Sequence, residues 1–565
     1  MSASADSEYS ATSAATTAPG HRLTAGTLVA AAIAVGVAQI GLSIPAVLNG
    51  LFQVDLATSS TQLTWISDAF LVPVTLFELT FGVIGDLFGR KRLLAIGAGL
   101  MVVGALIAFF TPATGSTVAR VAQLWTGQAI TGLGAAAIFP TSVAMLAAGT
   151  HTVKARSHAI SVWAAALTGA GFVSPVLAGL MARIQHSGGA DAGWRWAFLA
   201  LAALAVISVV ATLLWAANSA APRGRSLDIP GQITVAVALF ALLYAVIQGA
   251  DNGWTSGTVL GGFAVAVVFL VVFVLIERRA TAPLIRLDLF GNRVFVGSAV
   301  VTVICMFAYL GTAYTTSIRL SAIQGYSPLL TSIGFICLNV MGVVLFPVSS
   351  QLLQRYNPGL TLAVGTVAIG AGDLWLAATP ATNLSIGAVA VPLLIVGIGF
   401  KLAVTTITVV AVNSVPTDKA GMASGATSML RDFGLTLGPA IIGAIALSHA
   451  AADIAAKVAA SPSLRSALAA FNAAPASAPP AQRAQLAQAV GAVHSGPLGA
   501  NAVPATATLP SGQTVPLNPL KDIAFHALSD AYATGYLVCG ISALVAAVIA
   551  AVLLVGRAGH SHVSE

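Results

Sequence analysis

The chain has 565 residues, of which 57% are hydrophobic and only 8% are Asp, Glu, Lys or Arg, whereas ordinary soluble domains carry roughly 25% charged residues. So few charges cannot cover a water-facing surface, and disorder needs the opposite composition; a soluble enzyme is excluded and a multi-span helical membrane protein remains. The net charge of +7 sits between apolar runs and reads as orientation charge, with no nucleic-acid partner expected.

Residues 1–24, rich in Ser, Thr and Ala, predict a disordered cytoplasmic tail, and with no signal-peptide core near Met1 the first span is expected to be the insertion signal. Apolar runs long enough to cross about 30 Å of hydrocarbon follow near 26–48, 62–82, 93–111, 121–148, 157–183, 195–216, 229–249, 257–276, 294–318, 328–353, 360–378, 385–412, 421–449 and 531–555. An even count of fourteen puts both termini on one side. Fifteen Lys and Arg, among them Arg22, Arg90–Arg92, Lys154, Arg223, Arg225, Arg355, Lys419 and Arg557, fall on the side of the termini, against eight on the other. Four of those eight lie in one long loop, where charge counts little, so the termini are expected to be cytoplasmic. That loop, about 450–530, is rich in Ala and Pro, with short helices possible near 451–471 and 481–493; it reads as a disordered insertion or a surface lid. Cys305, Cys337 and Cys539 lie in apolar runs without zinc or disulfide spacing, and His560 and His562 belong to the polar tail 557–565.

The two ends of the chain repeat each other. Ala170-x-x-x-Ser174-Pro175-x-x-x-Gly179 recurs 264 positions later as Gly434-x-x-x-Gly438-Pro439-x-x-x-Gly443, and the same offset carries the turn at 82–92 onto 346–356. Six spans, two spans and six spans is the simplest description, and repeats of this kind place a transporter's substrate site between the halves. The organisation predicted is a six-helix half over 25–220, two additional spans over 221–280, a second six-helix half over 281–449 and 531–556, and the long extracytoplasmic loop 450–530.

The strongest local pattern is Gly82-x-x-Gly85-Asp86-x-x-Gly89-Arg90-Lys91-Arg92 between the second and third spans. Glycines permit a tight turn, Asp86 can cap the next helix or pair with a base, and the basic triplet suits an anionic leaflet. This stretch resembles the signature loop of the major facilitator superfamily, and Trp65-x-x-x-Ala69-Phe70-Leu71 upstream is similar to that family's second span. Further pieces resemble its fourteen-span drug:proton antiporters in order: Gly171-Phe-Val-Ser174-Pro175-Val-Leu-Ala178-Gly179 as the antiporter-motif helix, Trp194-Arg195-Trp196, Leu227-Asp228-x-x-Gly231, Gly249-x-x-x-Gly253-Trp254, Glu277-Arg278 with Pro283-Leu284, Leu287-x-Leu289-Phe290 and Gly325-Tyr326-Ser327-Pro328. The resemblance covers about 26–450 and the last span. It implies two major-facilitator halves rocking about a central cavity, with proton entry driving export of amphiphilic compounds. Where relatives often carry an acid in the first span this chain has Gly36, and where they often carry Arg in the fourth it has Gln128, so those coupling roles are not carried over.

Ionisable groups within spans are costly, at least ~2.5–3.5 kcal/mol at mid-bilayer, and mark internal pairs or functional sites. Here they are Asp68, Glu78, Asp373, Lys401, Arg431 and Asp432. The family fold sets spans one, four, nine and twelve around the cavity and implies Lys401 there, able to exchange a proton or hold an anionic group; a structural pair with Asp373 or Asp432 is the alternative. It also sets span two against span thirteen, so Glu78 and Arg431 are expected to form a gate, unless Arg431 and Asp432 satisfy each other. Asp68 joins these as a coupling candidate. Gln39, Gln128, Tyr309, Tyr314 and Thr405 are the uncharged cavity candidates, since isolated polar groups among apolar walls suit amphiphiles; interhelical bonding is their other use.

No phosphate loop, metal-ligand cluster or nucleophile elbow is present in the sequence, so no enzyme activity, cofactor or metal is expected. The reading is a multi-pass secondary exporter of hydrophobic or amphiphilic small molecules, monomeric, in a bacterial-type inner membrane, with protons as the expected coupling ion. The alternatives are an organic-anion exporter or facilitator using Lys401, and a non-transporting membrane sensor or scaffold whose working surface is the long loop.

Overall fold

A computed structural model describes residues 23–150, 152–186, 189, 191–220, 227–281, 283–345, 355–416, 420–508 and 514–555. Most of the expected tails, the greater part of the turn at 346–356, and Arg22, Arg223, Arg225, Lys419, Arg557, His560 and His562 lie outside them. Among the described residues, thirteen helices are long and apolar enough to cross a membrane, and a fourteenth, Pro328–Val344, is shorter.

The first span is bent at Pro45 into α1 (Ala25–Ser43) and α2 (Pro45–Leu56). α3 (Ser60–Phe88) starts on a capping box in which Ser59 and Gln62 satisfy each other's backbone N–H groups. α4 (Arg90–Phe109), α5 (Thr117–Ala148), α6 (Val153–Met181) and α7 (Arg195–Trp215) complete a first bundle. α8 (Ile229–Asn252) and α9 (Gly257–Glu277) form the accessory pair. α10 (Arg293–Ser317) continues into a π-helical turn, Ile318–Ile323. α11 (Pro328–Val344), α12 (Pro358–Ala378), α13 (Ile386–Asn413), the 41-residue α14 (Ala420–Ala460) and, after the long loop, α18 (Lys521–Leu553) make the second bundle.

Lipid supplies no hydrophobic drive between helices, so close backbone approach through small residues does the packing. α4 meets α5 at Gly97 and Gly134, and α12 meets α13 at Gly365 and Gly399; a methyl group on any of these glycines would run into the facing backbone. Across the two bundles, α6 lies on α11 and α3 lies on α14, while α8 touches both α3 and α14.

The 450–530 segment is folded along most of its length. α14 runs through Ala460, and α15 (Pro462–Ser477), α16 (Pro480–His494), α17 (Pro497–Ala502) and a short hairpin, β1 (Thr506–Thr508) with β2 (Thr514–Pro516), lead into α18. Phe471, Val493, Ala500, Val503, Leu520 and Ala524 give it a small core. α17 is wedged against α2 and α3 on one side and the π-helical turn and α18 on the other. Its Leu498 is fully buried in the main core, and the Asn501 side-chain amide donates to the Ala322 carbonyl at 2.8 Å.

Candidate functional site

The signature loop comes first, because it fixes α3 against α4. A single residue, Gly89, joins the two helices, and its φ of 104° is open to glycine and strained for any side chain. Asp86 does not cap α4; it pairs with Arg90 four residues on, at 2.6 Å, with both side chains over nine-tenths buried. Arg90 also receives the chain after α7, since its N–H donates to the Ser219 carbonyl at 2.9 Å, and Lys91 Nζ donates to the Leu213 carbonyl at 2.9 Å. Two of the three bases are thus turned onto α7 and its end, leaving Arg92 exposed. Gly82 faces Pro140 and Gly85 faces Leu93 and Thr141 in ordinary to tight contact.

Between the two bundles lies a cavity of about 220 Å³. Gln39, Gly171 and Pro175 line it from the first bundle, and Tyr309, Lys401, Arg431 and Asp432 from the second. Phe70, Val74, Phe139, Trp163, Met306, Phe335 and Phe400 make its walls apolar. Tyr309 stacks on Phe400, ring centroids 3.5 Å apart and planes 9° from parallel, and its hydroxyl donates to Asn339 Oδ1 at 3.1 Å. Gln39 Nε2 donates to Ser43 Oγ at 3.3 Å. The Gly171 backbone leaves room beside Gln39 and Asn339. Lys401 is 6% exposed on the opposite wall. Drug-sized pockets hold about 300–1,000 Å³, so a large cargo needs this one to widen.

Three candidates are placed away from the cavity lining. Gln128 is fully buried and donates to the Ile66 carbonyl at 3.3 Å, because α5 crosses α3 so closely at Gly132 that side chains there meet backbone. Tyr314 bonds Thr64 across the seam at 2.8 Å. Thr405 turns its hydroxyl back onto the Lys401 carbonyl of its own helix at 2.9 Å. Asn339, Ser43 and Trp163 are cavity residues the sequence reading missed. Asn339 carried a usable signal, a lone amide in the run Ile336-Cys-Leu-Asn-Val-Met341.

The seam between bundles has two characters. On the side of the long loop it is hydrogen-bonded: Asn49 Nδ2 donates to Ser317 Oγ at 2.8 Å, Ser317 donates to the Ala46 carbonyl, and Thr64 meets Tyr314. Thr75 and Thr436 add a bond at 2.7 Å nearer the middle. On the side of the signature loop Arg431 sits 3.8 Å from Glu78 across the seam, while its Nε donates to neighbouring Asp432 at 2.8 Å. The local pair therefore takes the hydrogen bonds and Glu78 completes a looser triad. Asp68 is fully buried in α3, and neither carboxyl oxygen has a hydrogen-bond partner among the described residues. Asp373 lies inside the second bundle, where Thr312 donates to its Oδ1 at 2.6 Å and its Oδ2 is buried without a hydrogen-bond partner among the described residues.

Ser174 and Gly179 hold α6 in place. Ser174 Oγ donates to the Ile40 carbonyl of α1 at 3.1 Å, and Gly179 lets the Leu329 backbone of α11 approach so closely that a methyl group would stand 2.9 Å from its Cα.

Two helical bundles of matching internal packing, a cavity between them and a one-residue signature turn define a membrane transporter of the two-half type. The family model described as Major Facilitator Superfamily matches residues 29–439, and the chain belongs to that family. Multidrug resistance protein Stp of Mycobacterium tuberculosis is 30% identical over 69% of this chain and 70% of its own length. The tetracenomycin C resistance and export protein of Streptomyces glaucescens is 28% identical over 74% and 75%, and the methylenomycin A resistance protein of Streptomyces coelicolor 25% identical over 72% and 82%. Among solved structures, a peptide transporter of the POT type superposes with a TM-score of 0.55 at 12% identity, covering 93% of this chain and 95% of that one. Tetrameric PepTSo2 gives 0.55 at 15%, covering 94% and 98%. At those identities the likeness is one of fold.

Proposed function

We propose that the chain exports hydrophobic or amphiphilic small molecules by alternating access, in exchange for protons. The observation that carries this is the apolar cavity between the halves, with its few polar groups at Gln39, Tyr309, Asn339 and Lys401, on a chain whose relatives are named for drug and antibiotic resistance. The hydrogen-bonded seam on the long-loop side marks the closed face of this state, and the Glu78–Arg431–Asp432 triad is the gate on the other. Asp68 is the coupling candidate: a carboxyl buried at the seam without a partner gains water, and can exchange a proton, when α3 and α14 part. The termini face the cytoplasm of a bacterial-type cell, and the unit is a monomer.

A second reading is favoured by Lys401, a nearly buried cation on the cavity wall, in a chain with Gly36 where an acid would suit cationic drugs. In it the cargo is an organic anion. Proteoliposomes carrying a pH dye separate the two when wild type, Asp68→Asn and Lys401→Ala are challenged with lipophilic cations and with organic anions. Substrate-evoked proton flux with cations, kept in Lys401→Ala and lost in Asp68→Asn, is expected. A response to anions alone, lost in Lys401→Ala, would replace the first reading by the second; no flux with either panel would overturn both.

A further inference from the structure

Two sequence patterns take no part in the cavity, Leu227-Asp228-x-x-Gly231 and Glu277-Arg278 with Pro283-Leu284, and the structure brings them together. Asp228 caps α8, its Oδ1 accepting from the Gly231 N–H at 2.9 Å. Glu277 ends α9, is 4% exposed, and accepts from the Ile285 N–H at 3.4 Å through Oε2. The other oxygen of each, Asp228 Oδ2 and Glu277 Oε1, is buried with no hydrogen-bond partner among the described residues. Both point at one spot. A methyl group on Gly231 would collide with Asp228 Oδ2 and stand 2.7 Å from Glu277 Oε1. The missing side chain of Gly231 is the gap in which the two carboxyls meet.

Among the described residues no cation answers them. Arg278 and Arg279 are exposed, and Arg286 in the linker to α10 pairs with Asp288 at the surface at 2.9 Å. α3 presents the Leu76 carbonyl and the Thr80 hydroxyl, both engaged by Gln232. α14 presents the Met422 sulfur, and its Arg431 and Asp432 are held in the triad with Glu78. Two ionised carboxylates so placed repel, and each would leave a buried acceptor empty. One proton removes both problems by making one oxygen a donor.

We propose that Asp228 and Glu277 hold one proton between them, as a proton-binding site outside the transport cavity that fastens the accessory pair to the seam of the two halves. Its position gives it that reach. Gln232, one turn along α8, grips α3 at Leu76 and Thr80, on either side of Glu78. Ile285 and Leu289 of the linker pack with Ala411 of α13 and with Ala423, Ala426 and Met429 of α14, the last two residues before Arg431. Removing the proton leaves facing carboxylates, drives the first turn of α8 from the last turn of α9 and frees the linker from Glu277. The site responds to pH on the signature-loop side, beside the helices that carry the gate.

The test uses the purified full-length protein in lipid nanodiscs. Infrared titration of wild type against Glu277→Gln is expected to show a protonated-carboxyl C=O band that fades as pH rises and is missing from the variant. Protection of the amides over 283–291 against hydrogen exchange, taken relative to the intrinsic rate at each pH, is expected to fall about tenfold through the same pH range in wild type, the loss of one hydrogen bond to a charged group. It should stay flat in Glu277→Gln, whose amide donates to Asp228 at every pH. Asp228→Asn should give the same two results and serves if Glu277→Gln does not fold. Lys401→Ala should keep the band, which separates this site from the cavity. Spectra of wild type and both folded variants without a difference in the carboxyl band, or protection that falls equally in all three, would overturn the proposal.

Discussion

The pattern of small residues shared by α6 and α14 is built into the two halves in different ways. Its last glycine does the same work twice: Gly179 admits the α11 backbone and Gly443 admits Thr64 of α3, so the two contacts across the seam match. The first two positions differ. In the second half Gly434 and Gly438 bring α14 onto the backbone of α10, where a methyl group at either would stand 2.6 Å from Val303 O or Gly311 N. In the first half Ala170 and Ser174 hold α6 off α1 by a methyl group and a hydroxyl bonded to Ile40. The loops on the long-loop side diverge likewise at positions 264 apart. Asp55 accepts from Arg120, Arg195 and the Trp194 indole, and the two arginines clasp the Thr111 and Pro112 carbonyls. Its counterpart Arg319 clasps the Thr379 and Pro380 carbonyls directly, at 2.8 and 3.0 Å. The contact across the seam is shared by the two halves, while the first two positions of the pattern and the loops on the long-loop side have each found their own chemistry.

The loops give the sharpest way to break this comparison. Asp55→Asn strips the countercharge from two arginines, one fully buried, and should cost about 3–5 kcal/mol. Arg319→Met leaves carbonyls without donors and should cost about 1–3 kcal/mol. Thermal unfolding in detergent measures both, and equal losses would mean the two clasps are energetically one. Next come the helix contacts. Gly438→Ala forces a methyl group into the α10 backbone and should cost about 1–3 kcal/mol, whereas Ser174→Ala gives up one hydrogen bond, about 0.6 kcal/mol on average within membranes. A larger loss at Ser174 would reverse the assignment of the tighter interface. The smallest effect tests the seam itself. Thr75→Val should lose about 0.6 kcal/mol, because it removes the bond to Thr436, while Thr436→Val and the double variant should lose equally, about twice that, since Thr436 also donates to the Asp432 carbonyl; a double variant worse than Thr436→Val would show that Thr75 acts through another partner.

The fourteen spans, the 264-residue offset and the family were legible because apolar length and glycine spacing are dictated by lipid and by backbone approach. The direction in which each polar side chain points was less so. In a span that is apolar all round there is no polar face to set the rotation, so Gln128 and Gln39 looked alike, yet one meets the α3 backbone and the other the cavity. Tyr314 and Thr405 were misplaced for the same reason. In the long loop the helices expected near 451–471 and 481–493 lie where the end of α14, α15 and α16 are found, whereas a single buried Leu498 is too small a signal to announce that α17 enters the core. Asp228 and Glu277 were visible as separate patterns, but their meeting depends on α8 and α9 lying side by side.

The seat of α17 gives the molecule a handle on its outer surface. Asn501 and Asn518 tie that short helix to the second half, while Gly496 brings it beside Ser60 of the first, so a helix of six residues bridges the two halves. An antibody fragment that grips α15 and α16 together with the tip of α3 would freeze this state, and one that binds α15 and α16 alone would ride with the second half as it swings. A fluorescent pair on Ser463 and on Val54 near the end of α2, both exposed, would then report opening without a label among the residues that line the cavity.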